Sequence, residues 1–337
     1  MHARIAAIEY HLPEKKLDTA TLGAQFPDWN VEKLDQISGI GTRHIAAEGE
    51  CASDLAVAAA NKLFASGAVK PEEIDFVLLC TQSPDHLIPT TACLVQHRLG
   101  IPITCGALDY NLGHSGYVYG LGLAEGLIAS QQARRVLLLT AETYSKHISE
   151  EDKSVRTIFG DAASATLLVA EDQAEPILGP FLYGTDGRGG PNLIVPAGGM
   201  RQPRSAATAV LREDENGNRR SDDHLYMNGA EVFSFTLSTI SKAVRALLEK
   251  SGKSMEDIDL FVFHQANRYI LEHLRKKTGI PPEKFPIALH HCGNTVSSSI
   301  PIALCEARGE GRWGQGSLLM LVGYGAGYSW GATLVRC

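Results

Sequence analysis

Ser66-Gly67, a link of six residues, and then Ile74-Asp75-Phe76-Val77-Leu78-Leu79-Cys80 returns later in the chain as Ser251-Gly252, a link of five residues, and Ile258-Asp259-Leu260-Phe261-Val262-Phe263-His264. Each copy follows an apolar pattern of helical period and opens a flat apolar run. In the first copy Ser53-Asp54 predicts a cap for a helix through Leu55, Val57, Ala58, Ala60 and Leu63 that stops at Gly67. In the second, Val232, Phe233, Phe235, Leu237, Ile240, Val244, Leu247 and Leu248 predict one helix ending at Ser251-Gly252. The flat runs read as strands. A phrase of helix, glycine, link and buried strand that occurs twice points to two similar α/β halves meeting face to face.

The alternation continues outward from the repeat. A helix is expected near 91–99, a short apolar stretch at 105–110, a Gly-punctuated helix from about 114 to 130, and strands at 135–140 and 162–170. With 337 residues, against roughly 150 per domain, the chain has room for two domains or one duplicated unit. The expected halves are residues 1–172 and 173–337. Residues 184–224, rich in Gly, Pro, Arg and Asp, read as a surface loop or lid inserted in the second half.

Charge and composition narrow the function. Lys and Arg total 31 against 38 Asp and Glu, a net −7, which disfavours a protein that holds nucleic acid by neutralising phosphates. Apolar runs such as Val136-Leu137-Leu138-Leu139 fall far short of the ~18 residues of a membrane helix. The opening MHARIAAIEYHLPEKK lacks the apolar core of a signal peptide, so a cytoplasmic protein is expected. Seven cysteines at irregular spacings form neither a disulfide framework nor a paired C-x-x-C zinc site. Cys80 and Cys93 are expected to be small buried hydrophobes, whereas Cys292, beside Gly293-Asn294, is kept as a reactive candidate.

Four places carry chemistry. Gly323-Tyr324-Gly325-Ala326-Gly327 lies too near the C-terminus for a helix to follow, which excludes a dinucleotide loop and leaves a tight turn or a close backbone approach to a ligand. Gly113-His114-Ser115-Gly116 opens the long helix where an N-terminal dipole acts, but Tyr117 breaks the hydrolase G-x-S-x-G elbow. Taken alone, Ser115 reads as a capping hydroxyl and His114 as a helix-start residue. His264 and Asn294 each read singly as ordinary strand-end and turn residues; together, at successive strand ends, they point into a shared cleft. His290-His291-Cys292 has no second ligand cluster, and no metal is expected.

Six segments in order, Thr42-Arg43-His44-Ile45-Ala46, Asp109 to Gly116, Ile158-Phe159-Gly160-Asp161, His264-Gln265-Ala266-Asn267, Gly293-Asn294-Thr295 and Gly325-Ala326-Gly327-Tyr328-Ser329-Trp330-Gly331, resemble β-ketoacyl-acyl-carrier-protein synthase III over nearly the whole chain. The resemblance implies a thiolase-like α/β fold, duplicated halves in a five-layer αβαβα arrangement, and a homodimer. It implies acyltransferase chemistry on acyl thioesters, with acyl-CoA or an acyl carrier protein supplying substrate and no cofactor. His264 and Asn294 match the family's histidine and asparagine. The family's cysteine lies five residues after the aspartate of the preceding strand, and here that position is His114.

The exchange changes the chemistry. A thiolate at a helix N-terminus attacks thioesters to give a stable thioester, whereas a histidine there stays neutral and forms only a labile acyl-imidazole. Neutral His114 can act as a base, bind a thioester carbonyl, or mimic an occupied nucleophile site so that decarboxylation runs uncoupled from condensation. Alternatives are a nucleophile at Ser115 or Cys292, a silenced or engineered synthase, and a non-catalytic partner subunit of an active one. The family's Trp and Arg clamp for coenzyme A is replaced by Lys33-Leu34-Asp35-Gln36-Ile37, and Lys153 stands where a further arginine is expected. Ala326 replaces a glycine whose N–H serves the family's oxyanion hole, and a positive φ there would strain it. Ile88 is expected to bound the acyl pocket.

Overall fold

The repeated aspartate of the Ile-Asp pair does the same work twice. In the computed structural model, which describes residues 1–337, the Asp75 carboxylate accepts the backbone N–H groups of Arg134 and Arg135 at 2.8 Å each. Asp259 accepts the N–H of Leu318 at 2.8 Å. Each carboxylate joins the start of one central strand to the start of its neighbour. Both aspartates therefore lie just outside the ladders, and the strands run Phe76–Cys80 and Leu260–Phe263 rather than from Ile74 and Ile258.

The first half holds five strands, β1 (His2–His11), β2 (Phe76–Cys80), β3 (Gly106–Tyr110), β4 (Arg135–Glu142) and β5 (Ala162–Glu171), in the order β1-β5-β4-β2-β3. β2 is parallel to β3 and β4, while β5 is antiparallel to β1 and β4. The second half holds β6 (Leu178–Thr185), β7 (Leu260–Phe263), β8 (Leu318–Gly325) and β9 (Ser329–Arg336), ordered β7-β8-β9-β6, with only β7 and β8 parallel.

Helices α1 (Ala52–Ala65) and α2 (Thr91–Arg98) cover the outer face of the first sheet, and α3 (Gly116–Ala129) lies against β4 on one side and β8 and β9 on the other. After α4 (Gly229–Phe235), α5 (Ser241–Ser251) and α6 (Arg268–Thr278) cover the outer face of the second sheet, while α7 (Ser299–Gly309) joins α3 between the sheets. The five layers are thus helices, sheet, helices, sheet, helices, with Leu78, Leu138, Leu121, Leu304 and Leu321 in one continuous central core. Each such leucine contributes on the order of 1.5–3 kcal/mol by burial. α3 must run close to β2: a Cβ on Gly116 would lie 2.2 Å from the Cys80 sulfur, so a glycine there is a packing requirement despite its cost in a helix.

Four local expectations are corrected. Cys51, not Ser53, is the N-cap residue of α1, with the Asp54 carboxylate accepting the Cys51 N–H at 2.7 Å. The helix expected from 114 starts at Gly116. The long second-half helix is two helices joined by a π-turn at Thr236–Ile240, where the Thr236 and Ser241 hydroxyls donate to the Val232 and Leu237 carbonyls. Cys93 is exposed rather than buried, and all seven thiols are free. The 184–224 excursion folds back on the first half: Arg220 pairs with Asp152 at 2.9 Å and Lys153 donates to the Asn216 carbonyl at 2.8 Å. No helix is long and apolar enough to cross a membrane.

Candidate active site

The motif Ile158-Phe159-Gly160-Asp161 sets up one wall. Asn294 N–H donates to the Ile158 carbonyl and Gly160 N–H to the Asn294 carbonyl, both at 3.0 Å, so the two loops pair as a short parallel bridge. Asp161 is buried below them and accepts the N–H groups of Ala46 at 2.7 Å and Ser145 at 2.8 Å. Arg43, almost fully buried, donates to the Thr157 carbonyl at 2.8 Å and the Leu17 carbonyl at 3.1 Å. Asp161 and Arg43 do not line the site but hold the loop that presents Asn294, while Ile158 and Phe159 do line it. In the same way Asn267 caps α6 through Ile270 N–H at 2.8 Å, and Gln265 bridges Phe263 and Ala288, which fixes the backbone on either side of His264.

His114, His264 and Asn294 meet at one cavity of about 370 Å³, whose walls include Phe159, Leu193, Val232, Phe233 and Tyr324. The rings of His114 and His264 are edge to face, with centroids 4.6 Å apart. His114 comes from the turn between β3 and α3, His264 from the end of β7, and Asn294 from the loop before α7. Gly325 of β8 completes the wall: a Cβ there would sit 2.4 Å from His114 Nδ1. The glycine of the C-terminal Gly-rich turn thus serves a close approach, to a side chain of the other half.

Polarity within the cavity follows from the hydrogen bonds. Asn294 Oδ1 accepts Val296 N–H at 3.0 Å, which leaves the Nδ2 donor for the cavity. Val296 reaches this position with φ +53, an uncommon conformation for a β-branched residue. His264 Nδ1 contacts Ser299 Oγ at 2.7 Å, and that hydroxyl also lies 2.9 Å from the Val296 carbonyl. The hydroxyl can donate to either one, so it satisfies either histidine tautomer; when it donates to Nδ1, Nε2 carries the proton. His114 Nδ1 is buried without a partner. Leaving a lone pair rather than an N–H unpaired there places the His114 proton on Nε2.

Both rings are neutral. Burial lowers the His114 pKa to about 4, and burial together with the neighbouring His114 holds His264 well below its ordinary value. Outside the cavity, burial pushes the Glu142 carboxyl up to about 8, although it accepts the Gln82 N–H at 3.0 Å and the Ser297 hydroxyl at 2.8 Å.

The other candidates lie elsewhere. Ser115 is the N-cap residue of α3 but makes no capping bond; its hydroxyl meets Ser329 Oγ instead, so the capping role is corrected. Cys292 is buried beside Ala162 and Ile302, outside the cavity, and burial pushes its thiol up to about 12, the opposite of an activated nucleophile. Ala326 does not line the cavity but a neighbouring cleft, and its φ is not positive, so the strain expected there is absent. Ile88 is 87% exposed and outside the cavity of its own chain. Lys153 is likewise outside, spent on the Asn216 carbonyl. Sequence reasoning missed Ser299 and Gly325 as supports; the serine run after Asn294 was the available signal for the first.

Two family models match: one described as 3-oxoacyl-[acyl-carrier-protein] synthase III over residues 108–187, and one for its C-terminal part over residues 248–337. The β-ketoacyl-[acyl-carrier-protein] synthase III of Caldanaerobacter subterraneus subsp. tengcongensis is 36% identical over 326 residues, covering 97% of this chain and 95% of that protein. A 2.1 Å crystal structure of a 3-oxoacyl-(acyl-carrier-protein) synthase III superposes with TM-score 0.99 at 55% identity, each chain covered completely. The corresponding structure from Pseudomonas aeruginosa PAO1 gives TM-score 0.86 at 31% identity, covering 100% of this chain and 98% of that one.

Proposed function

Given that the chain belongs to the 3-oxoacyl-[acyl-carrier-protein] synthase III family and has its thiolase-like fold, we propose that it is an acyltransferase on acyl thioesters in which His114 replaces a covalent nucleophile with a hydrogen-bond donor. The observation that carries this reading is the pair of neutral imidazoles facing edge to face beside the Asn294 carboxamide in one buried cavity. His264 and Asn294 polarise the thioester carbonyl of a malonyl-type substrate. Its carboxylate leaves as CO2, and the C–C electron pair moves into the carbonyl as an enolate. Nε2–H of His264, Nδ2–H of Asn294 and Nε2–H of His114 supply donors for the enolate oxygen, each worth about 3 kcal/mol in comparable sites. The carbanion carbon then attacks the carbonyl of an acyl thioester, whose C–S bond breaks so that the thiolate leaves and is protonated by water, or it takes a proton from water itself.

His114 is poorly suited to hold an acyl group: burial keeps the ring neutral, but an acyl-imidazole is labile. A carrier-protein thioester fits better than coenzyme A, because Val31–Ser38 offers neither the aromatic nor the arginine of a nucleotide clamp. Two copies of the chain are expected to pair along β3, an edge strand that has only β2 as neighbour and exposes Leu108. Seven free thiols suit a reducing cytoplasm.

The test is decarboxylation of a malonyl thioester by the purified protein, with intact mass recorded after exposure to an acyl thioester. Decarboxylation without an adduct is expected. A stable adduct on His114 would overturn the non-covalent mechanism. Complete inactivity restored by His114→Cys would mark a silenced synthase, and inactivity that persists would favour a non-catalytic partner subunit.

A further inference from the structure

A second cleft, of about 1010 Å³, adjoins the first. Leu193 lines both, and Tyr144, whose ring centroid lies 6.3 Å from that of His114, lines the second. Ala326, next to Gly325, belongs to the same wall. The part nearest His114 is therefore apolar. Elsewhere the wall is polar and organised: the Tyr144 hydroxyl donates to Gln82 Oε1 at 3.2 Å, and Gln82 Nε2 donates to Asn111 Oδ1 at 3.2 Å.

This chain of bonds consumes acceptors. Among the groups left for a ligand are the Asn111 Nδ2 donor, His86, the unpartnered Nδ1 of His147 and the cations of Lys146 and Arg204, neither of which is in an ion pair. Lys146 does donate to the Glu48 carbonyl at 2.8 Å, which neutralises none of its charge. The carboxylate on the wall, Asp85, accepts Ser53 N–H at 3.0 Å and keeps its charge, one anion against two cations. The cleft is thus donor-rich and net positive. Burial keeps His147 on the same wall below its ordinary pKa; its Gln82 carbonyl contact opposes this, while the charge of Arg204 adds to it.

Resting on the acyl-thioester reading above, we propose that this cleft is the acyl subsite and that it selects acyl groups carrying a carboxylate at the end remote from the thioester. The apolar wall beside His114 accommodates the methylenes, and Arg204 with Lys146 meets the anion, Arg204 by the two-pronged geometry that guanidinium and carboxylate share. A purely aliphatic chain would leave both cations to water and gain no ion pair.

The experiment compares binding of pantetheine thioesters in matched pairs, succinyl with butyryl and adipyl with hexanoyl, by titration calorimetry on the full-length protein. The carboxylated member of at least one pair is expected to bind about 10-fold tighter, the size of a hydrogen bond to a charged group. Arg204→Gln should bring that ratio close to one, and Arg204→Lys should keep most of it. Arg204 is exposed on a loop, and a thermal unfolding curve reports whether the variant is folded. Equal or weaker binding of both carboxylated thioesters, or a ratio unmoved by Arg204→Gln, would overturn the subsite while leaving the thioester reading intact. Binding of none of the four would overturn both.

Discussion

The two halves contribute to the site by different means. His264 and Asn294, from the second half, are oriented by hydrogen bonds to Ser299 and Val296. His114, from the first half, has no hydrogen bond at Nδ1 and is placed by packing against Gly325, Phe159 and Tyr144. Hydrogen-bonded groups present a defined donor before substrate arrives. A group held by shape alone tolerates a change of chemistry if the replacement fits, which is how a histidine can occupy the tip of this helix without disturbing the pair opposite.

Breaking the hydrogen-bonded side should cost most. His264→Ala and Asn294→Ala are each expected to lower malonyl-thioester decarboxylation by about 100- to 1000-fold, measured as kcat. If both variants keep full activity, the two halves do not share one site. Gly325→Ala tests the packed side: its methyl would press on His114 Nδ1, and overpacking of about 1–3 kcal/mol should appear as a lower Tm with impaired turnover. A variant as stable and active as the parent would show that His114 moves freely. Ser299→Ala removes the hydroxyl that lets His264 carry its proton on Nε2, and about a 10-fold loss in kcat with little change in KM is expected.

A pH profile sharpens the same contrast. With its pKa lowered by burial to about 4, His114 stays neutral through the range where a free imidazole would charge. Because the folded value lies below the ordinary 6.5, its contribution to stability is complete above pH 6.5 and is lost as pH falls toward 4. Activity should show no acid limb near 6.5. The smallest effect is expected at Cys292: with its thiol pushed up to about 12, iodoacetamide at pH 7 should leave it unmodified and activity unchanged. Rapid labelling of Cys292 with loss of turnover would move the nucleophile there.

The architecture was legible because the Ile-Asp phrase recurs with its helix and strand, and because Asp75 and Asp259 serve both sheets alike. The convergence of His114, His264 and Asn294 was legible as motif order. Less so were the supports. Ser299 and Gly325 act through contacts between segments distant in sequence, and nothing in one-dimensional spacing says that a β8 glycine faces the ring of residue 114. Periodicity also hid the π-turn at Thr236–Ile240, because a one-residue widening barely disturbs the apolar pattern over twenty residues. Ile88 and Lys153 were assigned to the pocket through the family resemblance; within this chain the first is exposed and the second donates to the Asn216 carbonyl.

Glu142 belongs to the first half, and one of the groups that secures it, the Ser297 hydroxyl, belongs to the second. Burial keeps this carboxyl protonated until about pH 8, while the unfolded chain ionises it near 4.5. Its share of the folding free energy is therefore complete below pH 4.5 and gone above 8. Mild alkali should accordingly lower the stability of the whole fold, while the Ser297 hydroxyl, a donor that favours the ionised carboxylate, keeps its bond across the halves.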